Sequence, residues 1–346
     1  MAIISLGTIN KTLIPVLLGA LVCFLNRFLN SYKETLLFKN ATLTVICISS
    51  SRLLAIIPLL KIKLKYKEVN KNNKIILGNN KRFKSLVKRN EEIIKNKWSF
   101  ILLLAIIFCI YLFCFVLTFE IETNSWIWYI LFSSIFYYLF FKVKLYKHHY
   151  LSSILILLIG VIIDLVTENL QNDIKNNIVF LLIKYLNEII FSLFSVFAKY
   201  VMEKKYISVY ELSFYIGIIA TILSGILLIF DYYFIKEYNY DEYFYKFNIK
   251  ELIIILLEII TQFALNITTL FTIKNNSPCH SFIIFVFGQL AHYVDFKGTS
   301  IVVIICLIFI LFLSLIFNEI IEINCLNYHI IQKEILQIEL KLKNIF

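Results

Sequence analysis

The chain has 346 residues, of which 60% are hydrophobic and only 16% are charged. Soluble globular domains are about 45–50% apolar and about 25% charged, so this composition and a mean hydropathy of +0.81 exclude an ordinary soluble enzyme. Phe and Tyr are abundant, whereas there are only eight Gly and three Pro residues, which excludes disorder and collagen-like repeats. The composition is typical of a helical protein that crosses a membrane many times.

Ten apolar segments follow one another along the chain, and about 20 apolar residues suffice for a helix to span a bilayer. They are 12–30, 43–60, 98–119, 125–142, 149–166, 177–202, 209–230, 251–273, 279–294 and 299–318. Placing both termini in the cytosol puts 23 of the 30 basic residues outside the spans on the cytosolic side, as the positive-inside rule requires. We therefore predict an all-α polytopic membrane protein with about ten transmembrane helices.

The net charge of +11 comes mostly from residues 61–97, which hold 13 Lys or Arg and three acidic residues. Because one cytosolic loop carries the excess, we expect no nucleic-acid partner. This loop is interpreted either as a flexible segment that sets the orientation or as a surface that contacts anionic membrane lipids. The seven cysteines show neither a CxxC pair nor zinc-ligand spacing.

The sequence contains no motif for nucleotide binding, zinc-dependent proteolysis or serine hydrolysis. We therefore expect that the protein is not an enzyme, with no catalytic residue, metal or cofactor. His148 and His149 are predicted to form a loop pair that has no acidic ligands nearby.

The ten spans divide near residue 171 into two sets of five. An odd number of spans per half gives the halves opposite orientations, which is the inverted-repeat architecture of many transporters. The predicted units are a first five-helix repeat over 1–170, a second over 171–318 and an amphipathic cytosolic tail over 319–346. The tail is expected either to lie on the membrane or to pair with a second chain in a homodimer.

Polar side chains within the spans are the candidate substrate-binding residues, because ionisable groups in a bilayer usually face the bundle interior or a wet cavity. Helical spacing places Lys184, Glu188, Ser192, Ser195 and Lys199 on one face of the sixth span, and Glu258, Gln262, Asn266 and Thr269 on one face of the eighth. Both stripes are interpreted as cavity walls for an anionic or polyhydroxylated solute. In the alternative for the sixth span, Lys184 pairs with Glu188, the serines bond the backbone and Lys199 reaches the cytosolic interface.

Three further candidates lie in other spans. Arg52 follows three serines near the centre of the second span, where it either attracts an anion or pairs with Glu188 or Glu258. Gln289 and His292 share a face of the ninth span, and a hydrogen-bonded structural role is the alternative for His292.

Three stretches of sequence resemble a known family. They are the run from Phe194 to Lys205 with Tyr210–Gly217, the run from Leu131 through Lys142 to Val161, and Ser277–Phe282 at the start of the ninth span. Together with the ten-span layout they resemble the drug/metabolite transporter superfamily, and within it the solute carriers similar to nucleotide-sugar transporters.

The resemblance implies an alternating-access exchanger of nucleotide sugars or related organic anions in a Golgi or endoplasmic reticulum membrane. Members of the GDP-mannose type carry FYNN and GALNK motifs. Here the seventh span reads FYIG, which keeps the aromatic pair with Tyr215, and the ninth reads FGQL, so GDP-sugar specificity is not expected. The alternatives are a membrane scaffold or receptor that transports nothing, a transporter of amino acids, vitamins or drugs, and a membrane-embedded lipid transferase.

Overall fold

The computed structural model of the protein describes residues 4–6, 14–31, 41–62, 97–119, 124–143, 145–167, 169–230, 249–295 and 301–323. These residues contain one α-helix for each predicted span. The helices are α1 (Ile14–Ser31), α2 (Ala41–Ser51), α3 (Lys97–Leu117), α4 (Trp128–Phe141), α5 (Lys147–Val166), α6 (Asn169–Lys204), α7 (Val209–Phe230), α8 (Ile249–Asn275), α9 (Ser281–Asp295) and α10 (Ile301–Phe317). The predicted all-α architecture is thus confirmed.

Six helical segments are long and apolar enough to cross a membrane. They are Thr44–Ile62, Lys97–Leu117, Lys147–Val166, Ile178–Lys204, Val209–Phe230 and Leu252–Asn275, and four shorter apolar helices accompany them. The outward side chains are also apolar, since Leu139, Leu182 and Phe309 are each more than half exposed. A bundle surface of this kind requires hydrocarbon around it rather than water, so the chain is a multi-pass integral membrane protein.

The second span is not the continuous α-helix predicted over 43–60. The α2 helix ends at Ser51, a 3-10 turn occupies Arg52–Ala55, and the helix resumes through residue 62. The hydroxyls of Ser49, Ser50 and Ser51 donate to carbonyls three or four residues earlier. Serines that bond the preceding turn bend helices, and a 3-10 stretch within a helix often marks a hinge.

Two hydrophobic clusters form the core. The first joins α2, α3, α6, α7 and α8 around large buried side chains such as Phe108, Phe194 and Leu212. The second joins α4, α5, α9 and α10 around Tyr129, Phe282 and their neighbours. Phe191 of α6 packs against both clusters, so α6 connects the two parts of the bundle.

The helices pack in a crossed pattern. The α1 helix lies against α8 and α9, whereas α6 lies against α3 and α4. The α2 helix contacts α7 and α8, α3 contacts α7, and α5 contacts α10. Helices that are distant in sequence are therefore the main neighbours in space.

A short strand pair was not predicted. Strand β1 (Ile4–Leu6) pairs in antiparallel register with β2 (Ile321–Ile323), with Ile4 opposite Ile323. The beginning of the predicted amphipathic tail is therefore a strand that follows α10 directly. The rest of that tail, residues 324–346, and most of the basic loop, residues 63–96, lie outside the described residues.

Candidate functional site

The interrupted second span places Arg52 at the first position of the 3-10 turn. Its side chain is only 3% exposed, and its guanidinium carbon lies 4.2 Å from the ring centroid of Phe108 and 5.9 Å from that of Phe194. On the backbone side, α7 packs directly against the turn at Gly217. A Cβ atom there would come within 2.7 Å of the Arg52 Cβ.

Arg52 has unsatisfied hydrogen-bonding capacity. Its Nε and Nη1 atoms are buried and have no hydrogen-bond partner among the described residues. Glu188 and Glu258 are both described, yet neither forms an ion pair with Arg52 within 4.0 Å. The alternative in which Arg52 pairs with one of these acids is therefore wrong for this conformation. A buried cation without a counter-ion is unfavourable and is a candidate for anion binding.

The polar face of α8 reaches the interrupted span at one point. Asn266 Nδ2 donates to Ser51 Oγ at 3.1 Å, next to Arg52 in the sequence. Further along the face, Gln262 Nε2 donates to Glu258 Oε1 at 2.8 Å. The Asn26 amide orientation that satisfies its neighbours directs the nitrogen at Glu258 Oε2, 2.9 Å away. Glu258 is thus a hydrogen-bonded link between α1 and α8.

The central part of the α6 stripe faces α4. Ser125 donates to Glu188 Oε1 at 3.3 Å, and Lys184 lies close enough to Glu188 to interact electrostatically. Ser192 donates to a main-chain carbonyl of α4, and Ser195 donates to a carbonyl of α6 itself. These contacts match the structural alternative for this stripe, and a role in solute binding stays a prediction.

Lys199 binds the end of another helix. Its ammonium donates to the carbonyl oxygens of Ile273, Lys274 and Asn276 at 2.8–3.1 Å and forms an ion pair with Glu203 at 2.8 Å. A cation at a helix C-terminus satisfies carbonyls that have no partner within the helix and complements the helix dipole. In this conformation Lys199 attaches α6 to the end of α8.

The other three predicted residues belong to α7 and α9. Tyr215 points toward α3, where its ring meets Trp98 edge-on with centroids 4.6 Å apart. Gln289 is half-buried on α9. His292 belongs to α9, but its side chain lies outside the described residues.

An apolar groove of about 430 Å³ opens between α3 and α7. It is lined by Trp98, Ser99, Ile101, Leu102, Tyr215, Ile218 and Ile219. Lys97 and Glu211 form an ion pair that joins the first turns of the same two helices. This groove could not be predicted from the sequence, because only packing decides which apolar faces leave a gap.

A hydrogen-bonded cluster beside the second hydrophobic cluster was also not predicted from the sequence. Asp164 of α5 accepts from both the main-chain and side-chain nitrogens of Asn124, at 2.9 and 2.7 Å. Trp126 Nε1 and the Tyr293 hydroxyl both donate to the Asn124 amide oxygen. Asp164 is an ionisable residue inside an apolar run, and this position could have indicated a polar contact within the bundle. The network joins the 3-10 turn Ser125–Ile127, which precedes α4, to α5 and α9.

The prediction for His148 and His149 was wrong. Both residues lie in the first turn of α5, and Glu319 lies 3.2 Å from His148 Nε2 and 3.9 Å from His149 Nε2. Glu319 adopts a left-handed φ of 58° immediately after α10, which turns the chain toward β2. The contact therefore connects the start of α5 to the end of α10.

The ligand atoms of these three residues lie within 4.8 Å of one another, close enough to share a metal ion. However, His149 Nδ1 accepts a hydrogen bond from the Tyr146 main-chain N–H at 3.2 Å. A neutral ring with Nδ1 as acceptor carries its proton on Nε2, the atom that faces Glu319. The arrangement therefore fits a charge contact between the carboxylate and two imidazoles, at 3.2 and 3.9 Å, better than a metal site. Hydrogen bonding to His148 holds the pKa of Glu319 below its ordinary value.

No protein-family model matches the chain, and no curated protein shows significant similarity to it. The resemblance to drug/metabolite transporters therefore stays a prediction.

Proposed function

We propose that the protein is a transporter that moves small organic anions across its membrane by alternating access. The observation that carries this proposal is Arg52, a buried cation on a broken membrane span. Broken spans near the middle of a membrane commonly form the solute sites of transporters. A transported anion would supply the negative charge that no described carboxylate gives to this guanidinium.

Two inverted five-helix repeats would provide the mechanism, and the helix contacts support such a symmetry. Replacing each helix by the one five positions away converts the α1–α9 contact into α6–α4 and the α3–α6 contact into α8–α1. It also converts α3–α7 into α8–α2, whereas α2–α7 and α5–α10 map onto themselves. Repeats related in this way can rock against each other around a fixed site.

The family proposed from the sequence resemblance adds two finer points. Members of the drug/metabolite transporter superfamily that resemble nucleotide-sugar transporters exchange one solute for another, so we propose exchange rather than uniport. They operate in Golgi or endoplasmic reticulum membranes, which is the location proposed for this chain. Neither point rests on the geometry around Arg52.

The test is counterflow in proteoliposomes with a panel of monocarboxylates, dicarboxylates, phosphorylated metabolites, nucleotide sugars and amino acids. At least one anion should enter faster when the vesicles are preloaded with the same anion than when they are empty. The Arg52→Gln variant should lose this acceleration, and Gly225→Ala should retain it because Gly225 has no neighbouring atom within 4 Å of an added Cβ. Equal rates in loaded and empty vesicles for every solute would refute exchange and favour a scaffold or receptor.

A further inference from the structure

We infer that the solute bound at Arg52 is an organic monoanion with an apolar body, rather than a nucleotide sugar or another polyanion. The inference rests on the proposed function and narrows its substrate class. It follows from the number of charges available around Arg52 and from the apolar groove between the two helices that hold it.

The charge count comes first. The two cations of the predicted α6 stripe are already engaged, Lys199 by three carbonyls and Glu203, and Lys184 with Glu188. Arg52 thus offers one positive charge that no described acid neutralises. A solute with one negative charge balances it, whereas a second negative charge would stay uncompensated in a low-dielectric interior, which is strongly unfavourable.

The side chains around Arg52 favour an apolar body for the part of the solute that carries no charge. Phe108 and Phe194 present aromatic rings to the guanidinium, and both belong to the first hydrophobic cluster. These two rings provide few hydrogen bonds for the hydroxyls of a sugar. Burying unsatisfied hydroxyl groups is costly, so an apolar or aromatic body fits better than a polyhydroxylated one.

The apolar groove lies between the same two helices. Phe108 of α3 and Gly217 of α7 contact Arg52, and the groove is lined by Leu102 of α3 and by Ile218, which follows Gly217 directly. The volume of about 430 Å³ lies in the range of small-molecule pockets. If α3 separates from α7 during transport, the groove extends toward Arg52 and accommodates the apolar body.

The charges beside the groove cancel. Lys97 at the start of α3 is paired with Glu211 at the start of α7, so among the described residues this pair offers no net positive charge for a second anionic group. The side chains of Trp98 and Leu102 are about half exposed on the outer surface, so an amphiphilic solute can reach the groove from the lipid. The groove therefore supplies apolar contact, and Arg52 supplies the single charge.

Three probes with one phenyl ring separate charge from shape. They are 4-phenylbutyrate with one negative charge, 4-phenylbutyramide with none, and phenylsuccinate with two, and uridine diphosphate glucose represents the nucleotide sugars. Binding is measured on the full-length protein in nanodiscs, with empty nanodiscs subtracted for partitioning into lipid. We expect saturable binding of 4-phenylbutyrate, with affinity at least about tenfold weaker for each other probe and no saturable binding to Arg52→Gln.

The groove is tested by filling it. The Ile219→Trp variant should weaken the binding of 4-phenylbutyrate about tenfold or more, whereas butyrate, which lacks the ring, should bind equally to both proteins. Ile222→Trp is the matched control on the same helix, because Ile222 is 60% exposed and does not line the groove. Melting curves of all variants exclude loss of fold as the cause.

The outcomes separate this inference from the proposed function. Arg52-dependent binding and counterflow of phenylsuccinate or uridine diphosphate glucose, stronger than for 4-phenylbutyrate, would overturn the monoanion class and leave anion transport intact. Arg52-dependent binding of 4-phenylbutyrate without counterflow of any anion would support the site and refute transport. Equal binding of 4-phenylbutyrate to the native protein and Arg52→Gln would overturn the inference.

Discussion

Replacing Arg52 with methionine should stabilise the protein while removing its anion binding. The side chain is 3% exposed, and two of its nitrogen atoms have no partner among the described residues. Insertion scales assign an arginine at the centre of a membrane span a cost of about 2.5–3.5 kcal/mol. The cation–π contact with Phe108, 4.2 Å from the ring centroid, returns about 1–2 kcal/mol.

The difference predicts that Arg52→Met raises the free energy of unfolding by about 1–2 kcal/mol. Methionine fills a similar, flexible volume, so the loss of packing should be small. Native proteins commonly keep such unfavourable groups where function requires them. The expected result is therefore a more stable protein that no longer binds 4-phenylbutyrate.

The assay is thermal unfolding in nanodiscs, followed with a dye that becomes fluorescent on reaction with thiols. Cys114 and Cys279 are buried thiols that form no disulfide bond with another described residue, so unfolding exposes them. The midpoint should rise by a few degrees. A decrease of about 1 kcal/mol or more would show that Arg52 has a stabilising partner and would refute the reasoning on its unpaired charge.

Three other substitutions test the packing around this site and the helix ends. Gly217→Ala should destabilise the protein by about 1–3 kcal/mol, because the new Cβ atom would lie 2.7 Å from the Arg52 Cβ. The control Gly225→Ala should be nearly neutral because no atom lies within 4 Å of its added Cβ. Equal melting points for the two variants would contradict the close contact at Gly217. Lys199→Met should lower the free energy of unfolding by about 2–4 kcal/mol, because three carbonyls lose a charged donor. Solute exchange per folded molecule should be retained. A loss of exchange without loss of stability would instead indicate that Lys199 binds the solute. Glu319→Gln should cost about 0.5–1 kcal/mol near pH 7. Because the folded-state pKa of Glu319 is lowered from 4.5, this difference should begin to decrease below pH 4.5 and disappear once the pH falls through the lowered pKa. A constant difference in pH-dependent melting curves would exclude the ionised contact.

The helices themselves were predictable from the sequence. Each of the ten apolar runs corresponds to a helix in the structure, because a long apolar segment in a bilayer can satisfy its backbone groups only within itself. The basic loop and the spacing of polar residues were equally visible. Asn266 and Arg52 were selected only as candidate substrate-binding residues on separate spans, and the partner of Arg52 was left open.

The break at Arg52–Ala55 was not predicted, although Ser49, Ser50 and Ser51 precede it. Hydropathy sums over many residues and does not distinguish a continuous helix from one that changes to a 3-10 turn for a few residues. The serines were interpreted as neighbours of Arg52, whereas in the structure their hydroxyls bond the turn before them. The hydrogen bonds of the serine hydroxyls to main-chain carbonyls therefore explain the break in the helix better than hydropathy does.

The sequence by itself determined that this is an all-α membrane protein and which residues are polar within its spans, because both properties depend on the local run of side chains and on the cost of burying polar groups in lipid. Only the tertiary structure decided what those residues contact: that Lys199 binds the end of α8, that Glu258 is held by Asn26 and Gln262, and that Arg52 meets no acid among the described residues. Such contacts join helices far apart in the chain, and helical periodicity fixes the face of each residue but not the helix that faces it.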